Sequence, residues 1–469
     1  MNSAIQETVK ISQRARILLV VGLFCFISAA QLFAYQLSTA LPRITDTIGG
    51  MEYFGLVFTA ITMGAAIMSP IAGKLSDLFG RKTVLFIGVL ILFISECLGI
   101  FVQNIYQLIA LAGVQGIGGG FAVTVSLIVI ADVCEKEERA KYIGMYGSLM
   151  ALLVIIGPLL GGVIVDNLNW HFICLALIPF SLTAALLIFI FMPEIPRSKN
   201  TQIDYLGSIL MTVAIMLTVL VTVLGGKQYP WGSPIIIGMI IGALLAVWLF
   251  VLVEKRTANP IMPMTLFGNP TFRICFFASF ISIAAGTAIG FYFPIYAQKI
   301  RGLSPTYSGM FMAAKGVIAF FACALNGWII SRIKEYRWNA LGIVVILSAA
   351  CFAFYTMDAQ TSILMLIIAV VFWGISAAYS SVFHIGIQMS LSNTEIVPAM
   401  GAIQLAVALG STLGNVLYGF LLRNPNMAAG VKNVFLSSFV LSLVVVVLVI
   451  MLLLGKGKEA NKVVKYQGK

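Results

Sequence analysis

The chain has 469 residues, of which 60% are hydrophobic and only 10% are charged. A soluble domain carries about 25% charged residues, so the composition excludes a water-soluble globular protein. The net charge of +12 raises the question of nucleic acid. The basic residues are scattered over short loops, with no basic stripe and no nucleic-acid motif, so no such partner is expected.

Apolar runs of about 20 residues recur along the whole length, each long enough to cross a hydrocarbon core as a helix. The apolar–polar alternation of barrel strands is absent. The fold class read from this is an all-α polytopic membrane protein. Fourteen spans are predicted, near 17–42, 53–75, 83–103, 107–132, 142–166, 171–192, 206–225, 234–253, 272–297, 305–330, 339–357, 362–387, 398–422 and 433–454. The first run is too long for a signal-peptide core and reads as a spanning helix.

An even count puts both termini on one side of the membrane. Of the 29 Lys and Arg residues, 22 fall on the terminal side and six on the other (Arg43, Lys227, Lys299, Arg301, Arg423 and Lys432). By the positive-inside rule both termini are expected in the cytoplasm. Lys315 belongs to neither face. The seven cysteines lie mostly inside apolar runs without metal or C-x-x-C spacing, so packing is their expected role.

Taken in chain order, the motifs begin between spans two and three. Gly73, Asp77, Gly80, Arg81 and Lys82 form a short charged turn within Gly73–Leu85. Glycines permit a tight turn there, and Asp77 is spaced to pair with Arg81 or to face a helix N-terminus. Span four carries Gln115-Gly116-Ile-Gly118-Gly119-Gly120, and span five carries Gly157-Pro158-Leu-Leu-Gly161-Gly162. The proline removes a backbone donor and favours a kink, while the glycines allow close helix packing. A weaker copy of the charged turn, Gly327 to Arg337, lies between spans ten and eleven.

These stretches resemble the major facilitator superfamily. The Gly73–Leu85 turn matches its loop G-x-L-a-D-r-x-G-r-k-x-x-l, and the span-five segment matches its antiporter motif G-P-x-x-G-G, with Leu153 replacing an upstream glycine. The resemblance implies two six-helix halves with a binding site between them at mid-membrane. The two charged turns fall at equivalent places only if spans seven and eight are an inserted pair, as in the fourteen-helix branch. The expected layout is therefore a cytoplasmic tail (1–16), an N-terminal six-helix half (17–192), a linker with inserted helices seven and eight (193–260), a C-terminal six-helix half (261–454) and a cytoplasmic basic tail (455–469).

The match is closest to drug:proton antiporter family 2, with two departures. Phe33 stands where span one carries an acid, and Ala112 stands where the arginine of R-x-x-Q-G-x-G belongs. Smaller echoes are Asp132 to Gly144, Trp170, Ile203-Asp204-Tyr-Leu-Gly207 and Gly302-Leu-Ser-Pro305. The resemblance implies a conformational latch at Gly73, Asp77, Gly80 and Arg81 and a helix-five kink at Gly157, Pro158, Gly161 and Gly162.

Charges in the hydrocarbon zone are rare and functional by default. Lys315 lies mid-span on the helix that, by the resemblance, lines the central cavity. It is a candidate for holding an anionic group, the alternatives being a partner for a buried acid or a snorkelling side chain. Glu96 in span three and His384 in span twelve are proton-coupling candidates; structural hydrogen bonding is the alternative for each. Among Tyr35, Gln36, Tyr292, Tyr296, Gln298, Trp373, Tyr379, Gln404 and Asn415, the substrate-binding candidates are Gln36, Tyr292 and Gln404.

No catalytic triad, metal spacing or phosphate-binding G-x-x-x-x-G-K-[ST] is found. The chain is expected to be neither an enzyme nor dependent on a cofactor or ATP. A transport-dead sensor is a further alternative, against which the short tails argue. The expected function is secondary active transport of a small amphipathic organic solute, proton-coupled and multidrug-efflux-like. The alternative is proton-coupled uptake of an organic anion such as a bile-acid-like carboxylate. Expected partners are the solute, protons or another ion, and lipid, with the protein a monomer in the plasma membrane.

Overall fold

Apolar runs too long for a soluble core become helices because only a helix satisfies its own backbone in lipid. A computed structural model describes residues 12–134, 136–193, 205–225, 229–257, 264–333, 335–391, 393–422 and 426–454. The expected basic tail (455–469), Lys10, Arg197, Lys199, Ile203, Asp204, Lys227, Lys334 and Arg423 lie outside the described residues, as do the side chains of Lys74, Lys136 and Arg139.

The helices are α1 (Gln13–Ile48), α2 (Phe54–Phe79), α3 (Arg81–Gly99), α4 (Ile105–Val133), α5 (Lys136–Asn167), α6 (Phe172–Phe191), α7 (Tyr205–Leu224) and α8 (Pro234–Glu254). They continue with α9 (Pro270–Ile295), α10 (Pro305–Ile333), α11 (Arg337–Thr356), α12 (Ile363–Ser376), α13 (Tyr379–Gln388), α14 (Asn393–Leu421) and α15 (Met427–Leu454). Thirteen stretches are long and apolar enough to cross a membrane, and α7 adds a shorter apolar run, Ile209–Val221. Among the described residues the only extended pairing is an isolated bridge between Gly225 and Tyr229.

Two differences from the predicted spans matter. The helix α1 runs through Pro42 to Ile48, where a span ending at Pro42 is predicted. A proline inside a helix removes one backbone bond without ending it when the flanking residues remain packed, and Leu41 and Ile44 are both buried. The predicted span 362–387 is two helices, α12 and α13. At the break the N–H groups of Ala377 and Ala378 bond the carbonyls of Gly374 and Ile375 at 3.2 and 3.3 Å, a tighter i→i−3 pattern.

The chain forms two compact units: residues 1–253, 257–259 and 303–313, and residues 254–256, 260–302 and 314–469. In the first, α1 packs on α4, α5 and α6, α2 packs on α4, and α3 packs on α4 and α6. In the second, α9 packs on α13, α14 and α15, while α11 packs on α12 and α15. The partner order of α1 and α3 in one unit is that of α9 and α11 in the other, an internal repeat at the level of helix packing.

The glycine run of span four divides among three neighbours. A Cβ on Gly120 would lie 3.0 Å from the Ala65 carbonyl oxygen of α2, one on Gly118 would strike Leu92 of α3, and one on Gly119 would meet Ala30 of α1. Small residues let backbones approach where lipid offers no hydrophobic drive. Below them Leu23, Phe26, Val89, Phe121 and Val125 form a continuous apolar core.

Candidate functional site

In the second unit the polar centre is Lys315 on α10. Its Nζ stands 5.0 Å from the centroid of the Trp373 ring on α12, within the range of a cation–π contact. Among the described residues no acid pairs with Lys315. The adjacent Gly374 lets α12 approach α10 closely, since a Cβ there would fall 3.1 Å from the Lys315 carbonyl oxygen. Three residues later the chain breaks between α12 and α13. Tyr379 opens α13 with its hydroxyl toward Gly286 of α9, and Trp373 faces Gly290 one turn further along α9. A cation, two aromatic side chains, a discontinuous helix and a glycine-lined stretch of α9 are thus brought together. Discontinuous helices are where transporters place their ligands.

The other solute candidates separate. Tyr292 is fully buried on α9, edge-on to Tyr418 with ring centroids 5.9 Å apart, and its hydroxyl donates to the Asn415 carbonyl at 3.4 Å. Gln404 is exposed on α14. In the first unit Gln36 is buried on α1, with its side-chain Oε1 unpartnered. His384 is tied to its own helix, its Nδ1 2.5 Å from the Ser380 carbonyl oxygen. A carbonyl only accepts, so Nδ1 carries the hydrogen.

Glu96 is fully buried on α3. The Ser181 hydroxyl of α6 donates to its Oε1 at 2.8 Å, and its Oε2 has no partner. Elsewhere in the first unit, Gly80 carries a φ of 93° between α2 and α3, the left-handed region that favours glycine. There Arg81 pairs with Asp77, its Nε bonds Asp132 of α4 at 2.9 Å, and its Nη1 donates to Ser76 at 2.6 Å. Three helices are tied at one point.

The α5 segment is a packing surface. A Cβ on Gly157 would strike Tyr35, one on Gly161 the backbone of Gln36, and one on Gly162 the backbone of Pro305 and Thr306. Beyond it Asp166 accepts hydrogen bonds from the backbone N–H and the hydroxyl of Thr306, the former at 2.7 Å.

The sequence model of the Major Facilitator Superfamily matches residues 18–207 and 205–395. The chain belongs to that superfamily. It is a multi-pass membrane transporter. Multidrug transporter protein MdtP of Bacillus subtilis (strain 168) is 30% identical over 410 residues, covering 87% of this chain and 75% of that protein. Multidrug resistance protein 3 of the same organism is 28% identical, covering 68% of this chain and 63% of that protein. An uncharacterized MFS-type transporter of Mycobacterium tuberculosis, Rv1877, is 28% identical over 82% of this chain, which spans 56% of it.

The solved structure of the POT family transporter PepTSo shares the superfamily fold, with a TM-score of 0.70 at 12% identity over 95% of this chain and 98% of that one. An inward-facing bacterial homolog of the human lysosomal transporter Spinster has a TM-score of 0.67 at 14% identity, covering 94% and 97%.

Within this superfamily member, sequence reasoning left out four partners that the structure supplies. Asp132 and Ser76 join the Arg81 turn, Ser181 meets Glu96, and Asp166 meets Thr306. Trp373 is conspicuous in the sequence as an aromatic on a cavity-lining span, but its pairing with Lys315 carries no local signal.

Proposed function

We propose that this superfamily member is a secondary active, proton-coupled transporter that extrudes small amphipathic organic solutes, as the names of MdtP and multidrug resistance protein 3 indicate for those relatives. The observation that carries the solute class is Lys315 against Trp373 at the α12–α13 break. An ammonium with an aromatic wall and no acidic counterion among the described residues suits an amphipathic molecule with an anionic group and an apolar body, because low dielectric strengthens its attraction. Within the first unit Gln36 is a separate candidate for a polar solute contact, and the Arg81–Asp77–Asp132 cluster acts as the conformational latch. The protein works as a monomer in the plasma membrane with both termini cytoplasmic, an orientation supported by the Lys/Arg asymmetry.

That no acid pairs with Lys315 among the described residues also favours a second reading, proton-coupled uptake of an organic anion such as a bile-acid-like carboxylate. One experiment addresses both. Inside-out and right-side-out vesicles, under an imposed pH gradient, are offered a panel of amphipathic anions and cations. Gradient-driven accumulation in inside-out vesicles supports extrusion, and accumulation in right-side-out vesicles supports uptake. Movement indifferent to the gradient in both overturns proton coupling.

A further inference from the structure

Glu96 is a titratable group that the Lys315 site leaves unused, and it sits among polar atoms without partners. On α4, Gln115 is buried and both its side-chain Nε2 and Oε1 are unpartnered. The register of the antiparallel pair α3–α4 follows from two contacts: Leu92 fills the space beside Gly118, and Gly99 meets Leu111. Between them, Gln115 falls at the level of Ser95 and Glu96. From α6 the same level receives Ser181, bonded to Glu96, and Cys174, which packs on Gly99.

Charge has no place in this seam. Among the described residues, Gln115 and Ser181 at this level are neutral and Cys174 is titratable; α1 meets α3 through Phe26 at Gly88, and no cation pairs with Glu96. Removing one partner from a buried ion pair costs about 3–5 kcal/mol, and a carboxylate with none is as poorly placed. With a proton, the same carboxyl becomes a donor, and Gln115 offers an acceptor at its level. The seam also lies close to the helix ends. Glu96 is one turn from the end of α3, and Cys174 is one turn from His171, whose Nε2 lies 2.9 Å from the Val102 carbonyl and whose Nδ1 lies 2.5 Å from Asn169 Oδ1.

We infer that Glu96, Gln115 and Ser181 form a proton-binding site in the α3–α4–α6 seam, its ligand a proton exchanged with water at the end of α3. Glu96 holds that proton in this conformation and returns it when the seam opens. Ser181 fixes the carboxyl by accepting nothing from it and donating to Oε1, and Gln115 is a positioning residue. The consequence for transport rests on the proton-coupled reading above; the site itself does not.

Two measurements on the full-length protein in liposomes test it. Dicyclohexylcarbodiimide, an apolar reagent that requires the carboxyl proton, is expected to modify Glu96, with labelling falling toward a limit of about tenfold per pH unit once the group deprotonates. An unlabelled Glu96, or labelling flat in pH, overturns the proposal, and no solute is needed to see it. Glu96→Gln, which keeps the neutral hydrogen bonds, is expected to retain solute counterflow while losing gradient-driven accumulation, about tenfold per pH unit for one proton. Accumulation equal to the parent protein would overturn it. If Glu96→Gln does not fold, the labelling decides alone; if no solute moves in the parent protein, the transport reading fails and the labelling still decides the site.

Discussion

The ammonium of Lys315 on α10 lies 5.0 Å from the ring centroid of Trp373 on α12. The contact holds the cation in place at the helix break, and such contacts contribute about 0.5–2 kcal/mol. Trp373→Leu is therefore expected to raise the KM for an amphipathic anion by roughly 2- to 30-fold. Lys315→Gln is expected to abolish anion transport, and Lys315→Arg to retain most of it. Initial-rate measurements in vesicles give these values; an unchanged KM in both Trp373→Leu and Lys315→Gln would remove the pair from solute recognition.

The Arg81 cluster holds α2, α3 and α4 together where α2 and α4 end and α3 begins. Arg81 and Asp132 have side chains only 16% and 17% exposed, so their pair is screened less than a surface bridge. Asp132→Asn leaves Arg81 with Asp77 and is expected to cost about 1–2 kcal/mol, between surface and buried values. Arg81→Ala strips three partners and is expected to cost more. Thermal unfolding in detergent would show the order; equal melting temperatures for all three proteins would mean the cluster contributes nothing in this state.

How much of this was legible in the chain depends on sequence distance. The Gly80 turn and the Asp77–Arg81 pair are local, four residues apart, and the spacing of glycine and charge announces them. Asp132 lies 51 residues from Arg81 and Ser181 lies 85 from Glu96. Those partners follow from α3 packing on α4 and α6, which no local pattern encodes. The presence of Glu96 and Lys315 was visible because a charge in an apolar run is conspicuous. The break between α12 and α13 was not, since Ala377 and Ala378 carry no helix-stopping signal. The exposed position of Gln404 was equally hidden, because α14 is apolar around much of its circumference.

The close approach at α5 predicts sharply different responses to the same substitution. A methyl on Gly162 would fall 2.5 Å from the Pro305 carbonyl oxygen, whereas one on Gly147, on the same helix, meets nothing within 4 Å. Backbone cannot move aside as a flexible side chain can. Gly162→Ala is expected to destabilise by about 1–3 kcal/mol and to slow transport. Gly147→Ala is expected to be neutral or stabilising by up to about 1 kcal/mol, from helix propensity. Melting temperatures and counterflow rates for the two variants check this; similar behaviour would mean that the tight packing at Gly162 is without consequence.

Asp358, in the short connection between α11 and α12, supplies a pH dependence outside the membrane spans. Its carboxylate accepts the Gln360 N–H at 2.8 Å and the Thr361 hydroxyl at 3.1 Å. These bonds hold it below the ordinary value of 3.8. The turn also anchors neighbours: the Tyr296 hydroxyl donates to the Asp358 carbonyl, and Arg301 donates to that of Ala359, both at 2.9 Å. A depressed folded-state value means the contribution is full above 3.8 and is lost as pH falls through the lower, folded value. Protonation removes acceptor capacity from the carboxylate, so the turn loosens on the acid side only. Amide hydrogen exchange of residues 357–362, corrected for intrinsic rates, is expected to be protected above about pH 4 and to accelerate below it. Asp358→Asn retains one acceptor oxygen but cannot titrate, so its protection should be constant across the same range. If the parent protein showed no acid-side change relative to Asp358→Asn, the turn would be held by the backbone and by Tyr296 and Arg301 instead of by the carboxylate.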